Sequence, residues 1–102
     1  MSVNQRLVNP LTDQLFEAIS QLQTKDEYYE FFEDLCTINE IHDMTQRLEV
    51  ARMLKNGEKY DKIEETTGAS TATISRVKRC LQYGADGYAK ALSRLSQPDK
   101  KG

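Results

Sequence analysis

The sequence predicts an all-α fold, and three observations carry that reading. Apolar residues recur at three- and four-residue spacing in successive segments. Glycine and proline number only 5 and 2 in 102 residues, too few to punctuate the turns of an all-β chain. The breaks that do occur carry helix-capping chemistry, at Thr24, at Thr37 with Glu40, at Asn56-Gly57 and at Gly68-Ala69-Ser70. With 38% hydrophobic and 29% charged residues, the chain suits a single soluble domain over residues 1–102. About six helices are expected.

Leu7 to Gln23 places Leu11, Leu15, Ile19 and Leu22 on one helical face and predicts the first helix. After Thr24-Lys25-Asp26, the aromatics Tyr28, Tyr29, Phe31 and Phe32 crowd among Glu27, Glu30, Glu33 and Asp34 in a short acidic second helix. It has too many apolar residues for one narrow stripe, so it packs against more than one neighbour, part of it against another subunit. Thr37-Ile38-Asn39-Glu40 is a T-x-x-E capping box that opens a long third helix. Its stripe is Ile38, Ile41, Met44, Leu48, Ala51 and Leu54, and Asn56-Gly57 closes it with a left-handed cap. Residues 7–56 thus form a helical core suited to dimerisation. Tyr60 to Thr67 is a short helix with Ile63 inward, and Gly68-Ala69-Ser70 turns the chain and caps a helix over Thr71 to Tyr83, buried through Ile74, Val77 and Leu81. Gly84 ends it, and a last helix is expected at 87–97, with a loose tail at 98–102.

The net charge of -2 conceals an uneven distribution. Residues 1–51 carry 3 Lys and Arg against 10 Asp and Glu, a net of -7, whereas residues 52–102 carry 11 against 6, a net of +5. A basic face is drawn to phosphate while an acidic one is repelled, which orients the protein on an anionic partner. No apolar run exceeds two residues, so no membrane span is present. No secretory signal is read at the N-terminus, so a cytoplasmic location is expected. Cys36 and Cys80 with the single His42 cannot form a four-ligand zinc site, and both thiols are expected to be reduced and packed.

The sharpest feature is the helix-turn-helix pattern over residues 60–83. Gly68 turns the corner, and Ile63 against Ile74 and Val77 sets the angle between the two helices. Ser70 caps the second helix. Thr71, Ala72, Thr73 and Ser75 are small enough to enter a major groove and offer hydroxyls and methyls to base edges. Arg76, Lys78 and Arg79 follow as phosphate contacts, with Lys59 and Lys62 adding positive field. Double-stranded DNA is the expected partner, and the expected function is a sequence-specific regulator of transcription, a repressor. The alternative is a protein-interaction helix-turn-helix module, in which the acidic aromatic helix engages a polypeptide.

Leu35-Cys36-Thr37 with the long helix, Asn56-Gly57-Glu58, and the string Gly68-Ala69-Ser70-Thr71-Ala72-Thr73-Ile74-Ser75-Arg76 resemble the Trp repressor family, in particular its YerC/YecD branch, over roughly residues 35–95. The resemblance implies an intertwined, all-helical homodimer in which the first three helices make the core and residues 60–83 form a DNA-reading head on each subunit. Such a dimer reads two half-sites about one helical turn apart. The best-known member of the family is switched by tryptophan, and Thr37, Arg47 and Arg76 fall on the threonine and arginines that frame that ligand. Val77 stands where that repressor has a glycine beside the indole, and Cys80 replaces a serine near the ammonium group. The isopropyl group of Val77 argues against tryptophan, and a different small effector, or none, is expected. The three matching residues also have plain explanations, Thr37 as a cap, Arg47 paired with Asp43 or Glu40, and Arg76 on phosphate. The motif's first helix also departs from the family pattern, being one residue shorter and carrying Asp61, Glu64 and Glu65.

No catalytic constellation accompanies this motif. His42 has no nucleophile placed near it by sequence, and no Gly-rich phosphate loop, nucleophile elbow or metal-ligand spacing occurs. The sequence is read as that of a non-enzyme without a metal.

Overall fold

The structure, a computed structural model, describes residues 3–95. Within them lie six α-helices and no strand: α1 (Pro10–Ser20), α2 (Lys25–Leu35), α3 (Ile38–Lys55), α4 (Tyr60–Thr67), α5 (Thr71–Tyr83) and α6 (Gly87–Leu95). The expected continuation of the last helix to residue 97 and the loose tail at 98–102 lie outside the described residues. The chain divides between His42 and Asp43 into two compact units, inside the stretch 7–56 that the sequence gathers into one core.

In the N-terminal unit the first helix is shorter than the apolar spacing predicts. It starts at Pro10 rather than Leu7, because the Asn9 side chain accepts the Thr12 N–H at 2.9 Å and proline at the first helical position needs no N–H partner. Leu7 instead ends a single 3-10 turn, Gln5–Leu7, and the helix stops at Ser20 rather than Gln23. Thr24 caps α2 by accepting from Glu27 N–H. The capping box ahead of α3 is formed in both directions, Glu40 N–H to Thr37 Oγ1 at 3.1 Å and Thr37 N–H to Glu40 Oε1 at 2.8 Å. Phe31 and Phe32 meet edge to face, and Tyr28, Tyr29, Phe32 and Ile41 line an apolar cleft of about 280 Å³. Yet no residue from Val3 to Glu49 is buried. Leu11 is 76% exposed and Ile38 84%.

The C-terminal unit, by contrast, has a closed core. Val50, Ala51, Met53, Ile63, Ala69, Ile74, Val77 and Leu92 form one buried cluster drawn from α3 to α6, with Leu54, Tyr60, Leu81 and Tyr88 packed at its margin. This corrects part of the face expected of α3, of which Ala51 and Leu54 do reach the core. Val50 and Met53 point into the core beside Ala51, whereas Ile38, Met44 and Leu48 of the predicted stripe stay exposed. The helix carries apolar residues on two faces, and one chain uses only one of them. Gly57, at φ +83°, closes α3 in a Schellman motif, with Gly57 N–H on the Leu54 carbonyl and Glu58 N–H on that of Met53, each at 3.0 Å. Cys80 is exposed rather than packed, while Cys36 is half-buried; both are free thiols.

Arg47 forms no ion pair with Asp43 or Glu40 among the described residues, Glu40 being engaged at the cap. Among the described residues α3 holds an ion pair of Arg52 with Glu49 at 2.6 Å, and hydrogen bonding from Arg52 holds the Glu49 carboxyl below its usual 4.5 against opposing desolvation. A lowered folded-state value means that this pair contributes above the ordinary carboxylate range and loses its contribution as acid passes the lowered value. The pair is largely solvated, so its contribution is small.

Ile63→Ala removes a fully buried side chain from the middle of the C-terminal core. It is expected to lower the unfolding free energy by about 2–5 kcal/mol in urea titration, with a near-native helical signal retained in water.

Candidate nucleic-acid interface

The helix-turn-helix is built from its corner outward. Gly68 sits at φ +74°, a conformation that a side chain rarely adopts, and its N–H bonds the Glu64 carbonyl at 2.8 Å. Thr67 ties the corner together, its hydroxyl donating to the Ile63 carbonyl at 2.7 Å and accepting from Ala69 N–H at 3.1 Å. Gln46 Nε2 then donates to the Thr67 carbonyl at 3.0 Å and fastens the corner to α3. Ala69 is buried beneath the turn, and Ser70 caps α5 by accepting Thr73 N–H at 3.1 Å. Ile63 faces Ile74 and Val77 as expected, and all three are at most 1% exposed.

Burying Ile74 and Val77 turns the opposite side of α5 to solvent. Ala72, Ser75, Arg76 and Arg79 are all exposed there, on successive turns of one face. The two threonines are less free than their residue type suggests. Thr71 donates its hydroxyl to the Glu64 carboxylate at 2.5 Å, and Thr73 is half-buried with its hydroxyl accepting from Ser70 Oγ at 3.1 Å. Lys59 and Lys62 are exposed on and just before α4. Lys78 is exposed too, but its ammonium lies 5.8 Å from the centre of the Tyr60 ring, a cation–π contact. Sequence reading missed the Glu64–Thr71 bond, the Gln46 tether and the Lys78–Tyr60 contact. Each joins residues seven or more positions apart, and no local spacing rule reaches that far.

The effector set does not form one group within a unit. Thr37 belongs to the N-terminal unit, where it serves the capping box, whereas Arg47, Arg76 and Cys80 belong to the C-terminal unit. Arg47 is half-buried on α3, Arg76 and Cys80 are exposed on α5, and Val77 is buried in the core. No group of three or more metal-ligating side chains occurs among the described residues, and none of their helices is long and apolar enough to cross a membrane.

Comparison with known proteins gives one answer. The family model described as Trp repressor protein matches residues 11–96, reaching well ahead of the stretch from Leu35 that carries the motif resemblance. YerC of Bacillus subtilis strain 168, itself uncharacterized, is 62% identical over 87 residues, which span 85% of this chain and 84% of the relative. Among solved structures, a TrpR-like protein from Eubacterium eligens superposes with a TM-score of 0.87 at 55% identity, covering 90% of this chain and 95% of its own. A candidate Trp repressor from Staphylococcus aureus gives the same TM-score at 52% identity, covering 92% and 95%.

The Thr71 hydroxyl gives a direct test of the geometry. Thr71→Val keeps the shape of the side chain and removes the bond to Glu64, so stability is expected to fall by about 1–2 kcal/mol in equilibrium denaturation. A change near zero would mean that the hydroxyl is available to another partner.

Proposed function

The chain belongs to the Trp repressor family, a family of regulators rather than enzymes, and on that footing we propose that it is a sequence-specific DNA-binding regulator of transcription. It acts as a homodimer and represses the genes it binds. The observation that carries this reading is the outward face of α5, where Ala72, Ser75, Arg76 and Arg79 stand exposed over a helix held rigidly by Ile74 and Val77. Ala72 is small enough for close approach and offers a methyl to thymine, Ser75 offers a hydroxyl, and an arginine can take guanine or phosphate in bidentate fashion. Thr71 and Thr73 shape the helix start, and Ser70 caps it. Lys59, Lys62 and Lys78 supply phosphate contacts that position without specifying.

The dimer is supported by the unburied N-terminal unit. Helices α1 and α2, amphipathic and eleven residues each, contribute no buried residue within one chain, and isolated helices of that length are marginal in water. A second copy covering Leu11, Phe16, Tyr29 and Ile38 supplies the missing apolar contacts. Two heads then meet two half-sites about one turn of DNA apart. Tryptophan is not the switch in this reading. Val77 fills with packed core the place that the family resemblance gives to a ligand-flanking glycine, and it is 1% exposed.

Selection from a random DNA pool, without tryptophan, is expected to return a two-fold symmetric motif. Against that motif Thr73→Ala, which alters the start of α5, changes base preference. Lys78→Ala weakens binding to every sequence alike and reduces the salt slope by about one. Failure to enrich any sequence, together with recovery of one stoichiometric polypeptide partner, would favour the protein-interaction reading instead.

For the dimer, Leu11→Glu is the cleanest probe, because an acid in the first turn of α1 suits the helix while placing charge in the apolar face. Sedimentation equilibrium is expected to show the mass falling from twice 11.7 kDa toward the single-chain value.

A further inference from the structure

Outside the outward face of α5, the C-terminal unit holds a cleft of about 560 Å³ at the margin of the core, which shares only Lys78 with the proposed DNA contacts. That volume is in the range of small-molecule sites, about 300–1,000 Å³. Four helices each give its floor one half-buried apolar group: Leu54 from α3, Tyr60 from α4, Leu81 from α5 and Ala89 from α6. Its charged lining is Lys55 and Lys78 against the single acid Glu58. The floor favours an apolar body, because burying it removes apolar surface from water on both sides. The charged lining favours one negative charge, because it holds two cations and one anion.

We propose that this cleft binds an amphipathic monocarboxylate and that binding there weakens the hold on DNA. The first half stands on the cleft alone; the second rests on the DNA-binding reading above. The link is Lys78. Its ammonium lies over the Tyr60 ring, at the cleft wall, and 5.8 Å is near the outer limit of a cation–π contact. A carboxylate seated above Tyr60 offers a full negative charge in place of a ring face, so the lysine turns to the ligand and ceases to hold phosphate. The site is distinct from Thr37, Arg47, Arg76 and Cys80, none of which lines the cleft.

The probe is 3-phenylpropanoate, with 3-phenylpropanamide as its uncharged counterpart, titrated into the isotopically labelled full chain and followed by amide NMR. Saturable shifts are expected at residues 54–60, 78–82 and 89, with the amide binding about tenfold or more weakly. Lys55→Gln, a surface change, is expected to weaken the carboxylate several-fold, and Ala89→Phe, which fills the floor, to abolish binding. Shifts confined to other residues, no saturation by about 10 mM, or equal affinity for the two probes would each overturn the site. With DNA carrying the selected motif, saturating carboxylate is expected to weaken wild-type binding about fivefold or more and to leave Ala89→Phe unaffected, with an affinity matching that of the unliganded wild type. Occupation of the cleft with DNA affinity unchanged would overturn the coupling and leave the site standing. Absence of DNA binding before any probe is added would instead overturn the regulator reading, while the titration still decides the cleft.

Discussion

The angle between α4 and α5 depends on one apolar contact, that of Ile63 with Ile74 and Val77, seated on Val50 and Ala51 of α3. These five side chains are at most 1% exposed, and no polar group is buried among them. Dispersion and burial fix distances but tolerate rotation, so the corner needs directional bonds as well. Gly68 provides the left-handed residue, Thr67 satisfies the backbone on both sides of it, and Gln46 fastens the carbonyl of Thr67 to α3. The outward residues of α5 inherit their direction from this arrangement. In the proposed reading of DNA, α5 is only as accurate as the platform behind it.

The same platform explains why the exposed face of α5 is chemically mixed. Its start is crowded with hydroxyls, yet two of the three threonine and serine side chains nearest the cap are occupied locally, by Glu64 and by the cap itself. The Glu64 carboxylate beside the first turn of α5 is also favourable to the helix dipole. It reduces the positive field that phosphate would meet. The acidic residues of α4, which look unhelpful for DNA binding when read as bare charges, therefore include one with a structural task.

Much of this was legible from local sequence. The Thr37–Glu40 box, the Gly57 and Gly68 caps, the Ser70 N-cap, and with them the end of α4 and the start of α5, follow from capping chemistry that operates over three to five residues. Periodicity alone did less well. It extended α1 through Leu7 because it cannot weigh Asn9-Pro10 as a start signal against one more apolar residue. It found only part of the buried face of α3, because a helix with two apolar faces offers two stripes: Ala51 and Leu54 of the predicted stripe reach the core, but only tertiary packing adds Val50 and Met53 and leaves Met44 and Leu48 exposed. The exposure of Cys80, the Gln46 tether and the position of Lys78 over Tyr60 depend on contacts between elements, for which a single sequence carries no spacing signal.

In the proposed dimer, the N-terminal half also has to survive before it is covered. It emerges before the C-terminal half during synthesis, with Leu11, Phe16, Tyr29 and Ile38 open to water. Such a surface is an aggregation hazard at any concentration where chains meet by chance. Ten carboxylates against three cations over residues 1–51 give nascent and unpaired chains a common negative charge that holds them apart in solution. Contact then succeeds only where complementary apolar surface is large enough to outweigh that repulsion. In that dimer the acidity of this half would act as a colloidal safeguard, favouring one specific association over many indiscriminate ones.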